Sequence, residues 1–316
     1  MTTTPANTSR GYALALGSSI ILAFTGILIR HITQTYQLPA LVLAGWRNLF
    51  VALILIVAFI FFGPKYLSLP QRHWGFFGWY GLVLAGFNSL WTISVAFNGA
   101  AVATVLVYTS VSFTALFGWW FLKEEIGWVK ISAILFSLGG CFLVAGGLDI
   151  TSWETNPIGI TTGLLSGLGY AGYSLMGRAA SQRNISPWTT LLYAFGCAAL
   201  ILILINLLPG LQFPGKAIQP QNLFWLGRNW AAWGYLLLLA VGPTLFGFGL
   251  YNASLGQLPA SIANLILTTE PIFTAVIAFV LLDEKLTIIQ IFGSGLILVG
   301  VIFLRLKNGQ RQERKL

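Results

Sequence analysis

Apolar residues are concentrated in long runs, which alternate along the chain with short segments containing Pro, Gly or charged residues. Each run has about twenty residues, the length that a helix rising about 1.5 Å per residue needs to cross a hydrocarbon core about 30 Å thick. We predict ten spans, over residues 11–31, 39–62, 74–97, 100–122, 127–147, 158–180, 187–208, 231–254, 260–282 and 287–306. The pattern therefore predicts an all-α polytopic membrane protein with ten transmembrane helices.

One acidic residue interrupts this pattern in the middle of the ninth run, where Glu270 is followed at once by Pro271. A charged group at the centre of a membrane helix costs about 2.5–3.5 kcal/mol on insertion scales. The adjacent proline removes a backbone donor and loosens the helix. We therefore predict a helix with a functional break at this position.

The composition excludes a water-soluble globule. Hydrophobic residues make up 57% of the 316 residues and charged residues only 8%, with a mean hydropathy of +0.82. Soluble domains usually carry about 25% charged residues. The lipid bilayer is therefore the expected solvent of most of this chain.

The net charge of +9 comes from 17 basic and 8 acidic residues. The basic residues are spread over short loops and the C-terminal tail, without interleaved aromatics, so no nucleic-acid partner is expected. The chain also has no zinc-ligand spacing, no phosphate-binding Gly loop and no nucleophile motif. We expect no cofactor, no metal and no catalytic residue. A membrane enzyme would need more than one deep acidic or histidine side chain, so the prediction is that this is not an enzyme.

The basic residues also predict the orientation in the membrane. With the N-terminus inside, twelve of them fall in cytoplasmic segments and only Arg30, Lys216, Arg228 and Lys285 fall outside, while Arg47 lies within the second span. We therefore predict a multi-pass protein of the plasma (inner) membrane with both termini in the cytoplasm.

Two sets of residues recur at fixed offsets and indicate an internal repeat. Arg30 and Arg178 are 148 positions apart and close the first and sixth spans. Phe113-Thr114-Ala115 and Phe273-Thr274-Ala275 are 160 positions apart, in the fourth and ninth spans. The larger offset later in the chain fits a longer loop before the eighth span.

The repeat predicts two five-helix units, residues 11–147 and 158–306, followed by a basic cytoplasmic tail over residues 307–316. Because five is odd, the second unit has the opposite orientation in the membrane, which makes a 5+5 inverted repeat. Inverted repeats are typical of transporters that work by alternating access, with a site near the midplane between the units.

The chain resembles the EamA-like family of the drug/metabolite transporter superfamily. The motifs that carry the resemblance are Gly45-Trp46-Arg47-Asn48, Tyr251-Asn252-Ala253, Leu258-Pro259-Ala260-Ser261, Thr269-Glu270-Pro271, Leu282-Asp283-Glu284-Lys285-Leu286, Gly293 and Gly300. The resemblance implies that both five-helix units are EamA-like repeats of a ten-helix bundle. It also implies movement of small organic metabolites such as amino acids, commonly outward. Val111 stands where the family pattern has a proline, so no matching break is expected in the fourth span.

Glu270 and Arg47 are the main candidates for substrate binding or coupling. Their repeat counterparts are the uncharged Ser110 and Phe195, so neither charge is required by the repeat itself. The two could pair with each other or contact a zwitterionic substrate separately. The structural alternatives are an ion pair without function, or an Arg47 side chain that snorkels to the outer interface. Since an apolar setting penalises an ionised carboxyl group, proton coupling through Glu270 is a further hypothesis.

Aromatic and polar side chains form a second candidate group. Asn88 and Trp91 share one face of the third span, and the other candidates are Tyr108, Tyr173, Tyr251 and Thr274. Such residues could line a cavity and orient a small-molecule ligand, or they could be ordinary helix packing. Glu124 and Glu284 close the fourth and ninth spans, and their repetition favours a role in capping or anchoring loops.

The sequence thus predicts a secondary active transporter, an exporter of small organic metabolites such as amino acids, working by alternating access. The absence of a nucleotide-binding motif in this sequence indicates that a solute gradient drives transport. The alternative is a channel-like or lipid-handling membrane protein.

Overall fold

The computed structural model describes residues 5–144, 146–148, 156–208, 213–282 and 287–313. The described residues form helices and no strands, as predicted. The helices before residue 150 are α1 (Pro5–Thr35), α2 (Ala40–Phe62), α3 (Trp74–Tyr108), α4 (Ser110–Leu122) and α5 (Trp128–Val144). Those after it are α6 (Pro157–Gln182), α7 (Pro187–Leu207), α8 (Trp230–Leu239), α9 (Phe248–Leu255), α10 (Ala260–Leu267), α11 (Glu270–Leu282) and α12 (Ile288–Glu313).

Seven helical segments of the described chain are long and apolar enough to cross a membrane, and α5 and α12 supply two shorter apolar helices. Helix α6 lies where the sixth span is predicted, but its many Gly, Ser and Thr residues make it less apolar. Large apolar side chains such as Phe62 and Trp120 are exposed on the outside of the bundle. This exterior suits lipid rather than water, and the count of ten spans stays a prediction.

The long helix that contains the third and fourth spans is kinked at a single residue, Gly99. Gly99 has φ 77° and ψ 167°, a backbone conformation that side chains with a Cβ strongly disfavour. It divides the candidate spans Gln71–Gly99 and Val102–Leu122. The long apolar run therefore contains two candidate spans, in agreement with the sequence length.

The expectation of an unbroken fourth span is wrong, because the helix is interrupted at Thr109. The Thr109 amide and hydroxyl both donate to the carbonyl oxygen of Leu106, at 3.2 and 2.7 Å. At the equivalent point between α10 and α11, Thr269 makes the same two bonds to Ile266, at 3.0 and 2.8 Å. In both places the backbone amide bonds the carbonyl three residues back, a 3₁₀-type turn that interrupts the α-helical ladder. The break therefore needs no proline.

The eighth span has an irregularity that the periodicity alone does not indicate. Between α8 and α9, residues Ala240–Gly247 form a π-helical segment that contains Pro243. Proline has no amide donor and clashes with the carbonyl four residues earlier, so the backbone widens there. The hydroxyl of Thr244 bonds the carbonyl of Leu239 at 2.8 Å within this segment.

Helices from the two ends of the chain pack directly against each other. Helix α3 lies along α6, α2 along α7, α5 along α12, and α4 against α10. Several of these contacts are close because the helices meet at glycine. A Cβ at Gly140 would lie 2.5 Å from the carbonyl oxygen of Gly293, and one at Gly167 would lie 2.4 Å from the Thr109 hydroxyl. The two halves therefore approach each other closely at these glycines.

Candidate functional site

A small cavity lies at the centre of the bundle. Its volume is about 30 Å³, enough for about one water molecule. Helices α1, α2, α3, α6, α9 and α11 contribute to its wall. The lining residues are Leu22, Thr25, Arg47, Phe87, Asn88, Trp91, Val107, Tyr108, Tyr170, Phe248 and Glu270. Most of this wall is apolar or aromatic, so its few polar groups define what the cavity can recognise.

The guanidinium of Arg47 reaches the cavity from α2 and is only 1% exposed. It donates to Asn88 Oδ1 at 2.6 Å, and Asn88 Nδ2 in turn donates to Asn48 Oδ1 at 2.9 Å. Asn48 donates to the backbone carbonyl of Ala44. This chain of amides fixes the guanidinium without neutralising its charge. Arg47 does not extend to the surface, so the snorkelling alternative is wrong.

Glu270 is the first residue of α11, and its carboxylate accepts a hydrogen bond of 2.6 Å from the hydroxyl of Tyr108. A helix N-terminus favours a negative charge, because the unpaired amides of the first turn point towards it. Pro271 occupies the first turn, where its missing amide breaks no helical bond. The predicted break is present, and it places the carboxyl group in the cavity wall at a helix start.

Arg47 and Glu270 line the same cavity, yet no ion pair joins these two described residues. Each side chain is held by neutral groups instead, Arg47 by Asn88 and Glu270 by Tyr108. The mutual ion pair that the sequence leaves open is not formed in this conformation. Two opposite charges therefore face one space without neutralising each other.

The structure brings together five of the eight predicted site residues and leaves three outside the cavity wall. Arg47, Asn88, Trp91, Tyr108 and Glu270 line it. Tyr173 and Tyr251 belong to an aromatic cluster beside it, with their rings stacked 6.4 Å apart. Their hydroxyls bond Asn252 and Ser174 respectively. Thr274 bonds the carbonyls of Ala23 and Glu270. These three therefore support the wall rather than form it.

Helix α1 contributes residues that the sequence reasoning missed, Leu22 and Thr25. Its small hydroxyl side chains also hold α1 against the broken helices. Ser19 bonds the hydroxyl of Thr269 at 2.8 Å, and Ser18 bonds the carbonyl of Gly247 at 2.8 Å. The adjacent serines inside an apolar run were the available signal, because buried hydroxyls need partners.

The counterpart of Glu270 in the first half has a different environment. Ser110, the first residue of α4, receives a bond of 3.2 Å from the amide nitrogen of Asn264. The same amide donates to Thr114 at 2.8 Å. Ser110 is therefore part of a packed contact between α4 and α10, and it does not line the cavity.

A second charged cluster lies at one end of the bundle, where α4 and α9 end. Glu124 accepts from the backbone amide of Ala260 at 2.7 Å, at the N-terminus of α10, and also bonds the hydroxyl of Ser261. Lys130 lies 3.7 Å from the Glu124 carboxylate and donates to the Ser261 hydroxyl at 2.8 Å. Beside this cluster, Arg178 donates to the carbonyl of Leu255 at 2.7 Å. The predicted anchoring role of Glu124 agrees with these contacts, while Glu284 lies outside the described residues.

The model of a family described as the EamA-like transporter family matches residues 9–146 and 157–306 of this chain. A solved crystal structure is similar over 95% of this chain and 98% of its own, with a TM-score of 0.71 at 15% identity. That likeness concerns the fold alone.

Three curated relatives illustrate the similarity. An uncharacterized transporter of Synechocystis, sll1319, is 31% identical over 67% of this chain, and the match spans 60% of that relative. The threonine/homoserine exporter RhtA of Escherichia coli K12 is 26% identical over 81% of this chain and 79% of its own length. An uncharacterized inner membrane transporter of Salmonella typhimurium, YicL, is 25% identical over 96% of this chain and 98% of its own.

Proposed function

The chain belongs to the EamA-like transporter family, and from that premise we propose that it exports amino acids or closely related zwitterions as a secondary active transporter. The family consists of transporters, so the prediction that this protein is a transporter and not an enzyme is confirmed. The proposal concerns the class of substrate, the direction and the mechanism.

One observation carries the proposal: Arg47 and Glu270 line one cavity with opposite charges that do not pair. A zwitterionic amino acid carries a carboxylate and an ammonium group a few ångströms apart. It can therefore satisfy both side chains at once, the carboxylate at Arg47 and the ammonium at Glu270. A solute without ionised groups would leave both charges unneutralised in an apolar surrounding, which is costly.

The relatives support the same class of substrate. RhtA is named as a threonine/homoserine exporter, and both of those compounds are small zwitterions with a hydroxyl group. The wall of the cavity contains hydroxyl groups from Thr25, Tyr108 and Tyr170. These groups are suited to a small polar side chain, so threonine is the first substrate to test.

Alternating access requires a seal that opens on each side in turn. The cavity holds about one water molecule in this conformation, so an amino acid enters only when the two halves separate. The packing of α2 on α7 and α5 on α12 joins helices with the same place in each predicted five-helix unit. This arrangement supports a ten-helix, 5+5 inverted repeat with the site between the units.

The Glu124 cluster supplies the seal at one end. It joins the start of α5 to the start of α10 across the two halves through Lys130 and Ser261. Arg10, Lys65, Arg72 and Arg183 occupy the segments that the charge pattern assigns to this same side. By the positive-inside rule it is the cytoplasmic end of a plasma-membrane protein, with both termini inside.

Counterflow in proteoliposomes tests the transport function. Liposomes containing the purified protein are loaded with unlabelled L-threonine, diluted, and given a trace of labelled L-threonine outside. A carrier accumulates the label transiently and saturably, and an excess of external threonine abolishes the effect. Unsaturable flux would identify the channel-like alternative instead. A lack of threonine flux, with counterflow of another solute, would overturn the amino-acid assignment and retain the carrier.

Proton coupling through Glu270 completes the proposal. The carboxyl group faces the cavity with Arg47, and Tyr108 and Tyr170 are the other titratable groups on the wall. When the Glu270 carboxyl group releases its proton, the carboxylate can bind the ammonium group of the substrate. One proton then leaves the site for each substrate that binds. Threonine movement driven by an imposed pH gradient, in the absence of a threonine gradient, would be the direct measurement.

A further inference from the structure

Two hydrogen-bond donors on the cavity wall have no partner within the described part of the chain. They are Nε of Arg47 and Nε1 of Trp91, and both side chains line the same cavity. Arg47 is 1% exposed and Trp91 7% exposed. Buried donors without a partner are rare in native structures, because each retains its desolvation penalty. Two in one small cavity indicate that something else supplies their acceptor.

The surrounding groups determine what kind of acceptor fits. The neutral amide of Asn88 accepts from one side of the guanidinium and is itself held by the neutral amide of Asn48. The Glu270 carboxylate is engaged by Tyr108. The positive charge of Arg47 is therefore fixed in place and uncompensated, and Arg47 and Trp91, each with a free donor, line the same cavity.

We propose that Arg47 and Trp91 form a two-donor subsite for the carboxylate of the substrate, so that a free carboxylate is required for recognition. The proposal rests on the function proposed above, and it specifies which residues of the cavity bind the carboxylate end of the substrate. The carboxylate accepts from the guanidinium and the indole N–H, while the ammonium lies at Glu270. Asn88 acts as a positioning residue because it bonds the guanidinium of Arg47, and Asn48 acts through its bond to Asn88.

The geometry also explains the residue types. A guanidinium and a carboxylate form charge-assisted bonds in a fixed fork geometry, which an amide carbonyl cannot match in strength. The indole adds a donor without adding a second charge. An amide or ester analogue of the substrate would leave the Arg47 charge unneutralised in an almost dry cavity. The site should therefore discriminate by charge at this end.

The test compares matched acid and amide ligands on the full-length protein in detergent. L-Threonine and L-threoninamide are titrated while the apparent unfolding temperature is followed, since a ligand that binds only the folded state stabilises it. Serine and serinamide, and alanine and alaninamide, are added as further pairs. We expect the acid to bind at least about 10-fold more tightly than its amide.

Trp91→Phe then tests the indole donor, because it keeps an aromatic ring and removes only the N–H. We expect about 10-fold weaker binding of L-threonine with little change for L-threoninamide, so that the acid–amide ratio falls. Loss of packing alone would weaken both ligands equally. The matched control is Trp233→Phe, since the Trp233 indole donates to the Gly227 carbonyl away from the cavity.

The outcomes separate this proposal from the proposed function. Equal binding of acid and amide by the wild-type protein would overturn the carboxylate subsite even if threonine is transported. Failure of every acid to bind would overturn it as well, and counterflow with other solutes would then decide independently whether the chain is a carrier. The wild-type comparison needs no variant, so an unstable Trp91→Phe protein would not prevent a decision.

Discussion

Two groups of charged side chains in the described part of the chain have opposite surroundings. At the end of the bundle, Glu124 has the Lys130 ammonium, a hydroxyl and a backbone amide as partners, and Lys130 donates to the same hydroxyl. At the centre, Arg47 and Glu270 face one cavity, and each is bonded only by a neutral side chain. Both clusters lie between the two halves of the chain.

The difference separates charges that hold the structure from charges that await a ligand. A buried charge is tolerated when its own protein neutralises it, as at Glu124. At the centre, Arg47 and Glu270 are not neutralised by the protein. This lowers stability unless a bound substrate supplies the opposite charges. Each cluster should therefore respond differently to loss of charge, in stability at one place and in transport at the other.

The largest effect on stability is expected for Glu124→Gln. The variant leaves the buried Lys130 ammonium without the carboxylate of Glu124 as its counter-ion. Glutamine also has one acceptor oxygen in place of two, whereas Ala260 and Ser261 donate to different oxygens of Glu124. We expect a loss of about 3 kcal/mol in folding free energy, measured as a lower apparent unfolding temperature in detergent. The double variant Glu124→Gln/Lys130→Met should recover part of the loss. An unchanged Glu124→Gln protein would contradict the distinction between the two clusters.

At the centre, Arg47→Gln should abolish transport with little loss of stability. Removing an unneutralised buried charge eliminates its desolvation cost, while the substrate carboxylate loses its main partner. We expect counterflow of threonine to fall by at least about 100-fold, as expected when an ionic hydrogen-bonded contact is lost. Normal transport by a folded Arg47→Gln protein would remove Arg47 from the site.

Glu270→Gln should have a smaller and more specific effect. The glutamine keeps the size of the side chain and can still accept from Tyr108, but it loses the negative charge that faces the ammonium group. We expect threonine affinity to fall by about 10-fold and the response of transport to an imposed pH gradient to disappear. Retention of that response would exclude Glu270 as the coupling group. Ser110→Ala is the matched control at the equivalent position outside the cavity.

The smallest effect is expected for Pro271→Ala. The helix break is already present as the backbone turn at Thr269, and Pro271 lies in the first turn of α11 where no helical bond depends on it. We expect stability to change by about 0.5 kcal/mol or less and counterflow to continue. By contrast, Thr269→Val should remove the hydroxyl bonds to Ile266 and to Ser19, while the backbone bond to Ile266 remains. If Pro271→Ala alone abolished transport, the break would depend on proline after all.

The membrane helices and the two central charges were predictable from the sequence, because apolar length and isolated polar residues are local signals. Glu270 and Arg47 were both identified in this way, and the structure places them on one cavity. The break at Thr109 was not predictable from proline placement, since it is a turn in which the Thr109 amide bonds the carbonyl of Leu106 with no proline nearby. Pro243 was visible in the sequence, but whether it kinks or widens a helix depends on its neighbours.

Long-range packing accounts for the rest of what the sequence did not reveal. Tyr173 and Tyr251 carry the same polar tips as Tyr108, yet they stack beside the cavity because α6 and α9 meet there. The contribution of Leu22 and Thr25 depends on how α1 lies against the broken helices. The sequence shows which residues are charged, whereas the direction in which each side chain points depends on the residues packed around it.

The paired threonine breaks have a consequence for engineering this protein. Thr109 and Thr269 start two helices in the same way, but the next residue is Ser110 in one case and Glu270 in the other. The backbone thus provides two equivalent positions at the start of a helix, and only the one occupied by Glu270 carries a charge. New chemistry could be installed at the first without rebuilding the scaffold, provided that Asn264 is changed to release the serine. The first half therefore contains a position equivalent to Glu270 that carries no charged side chain.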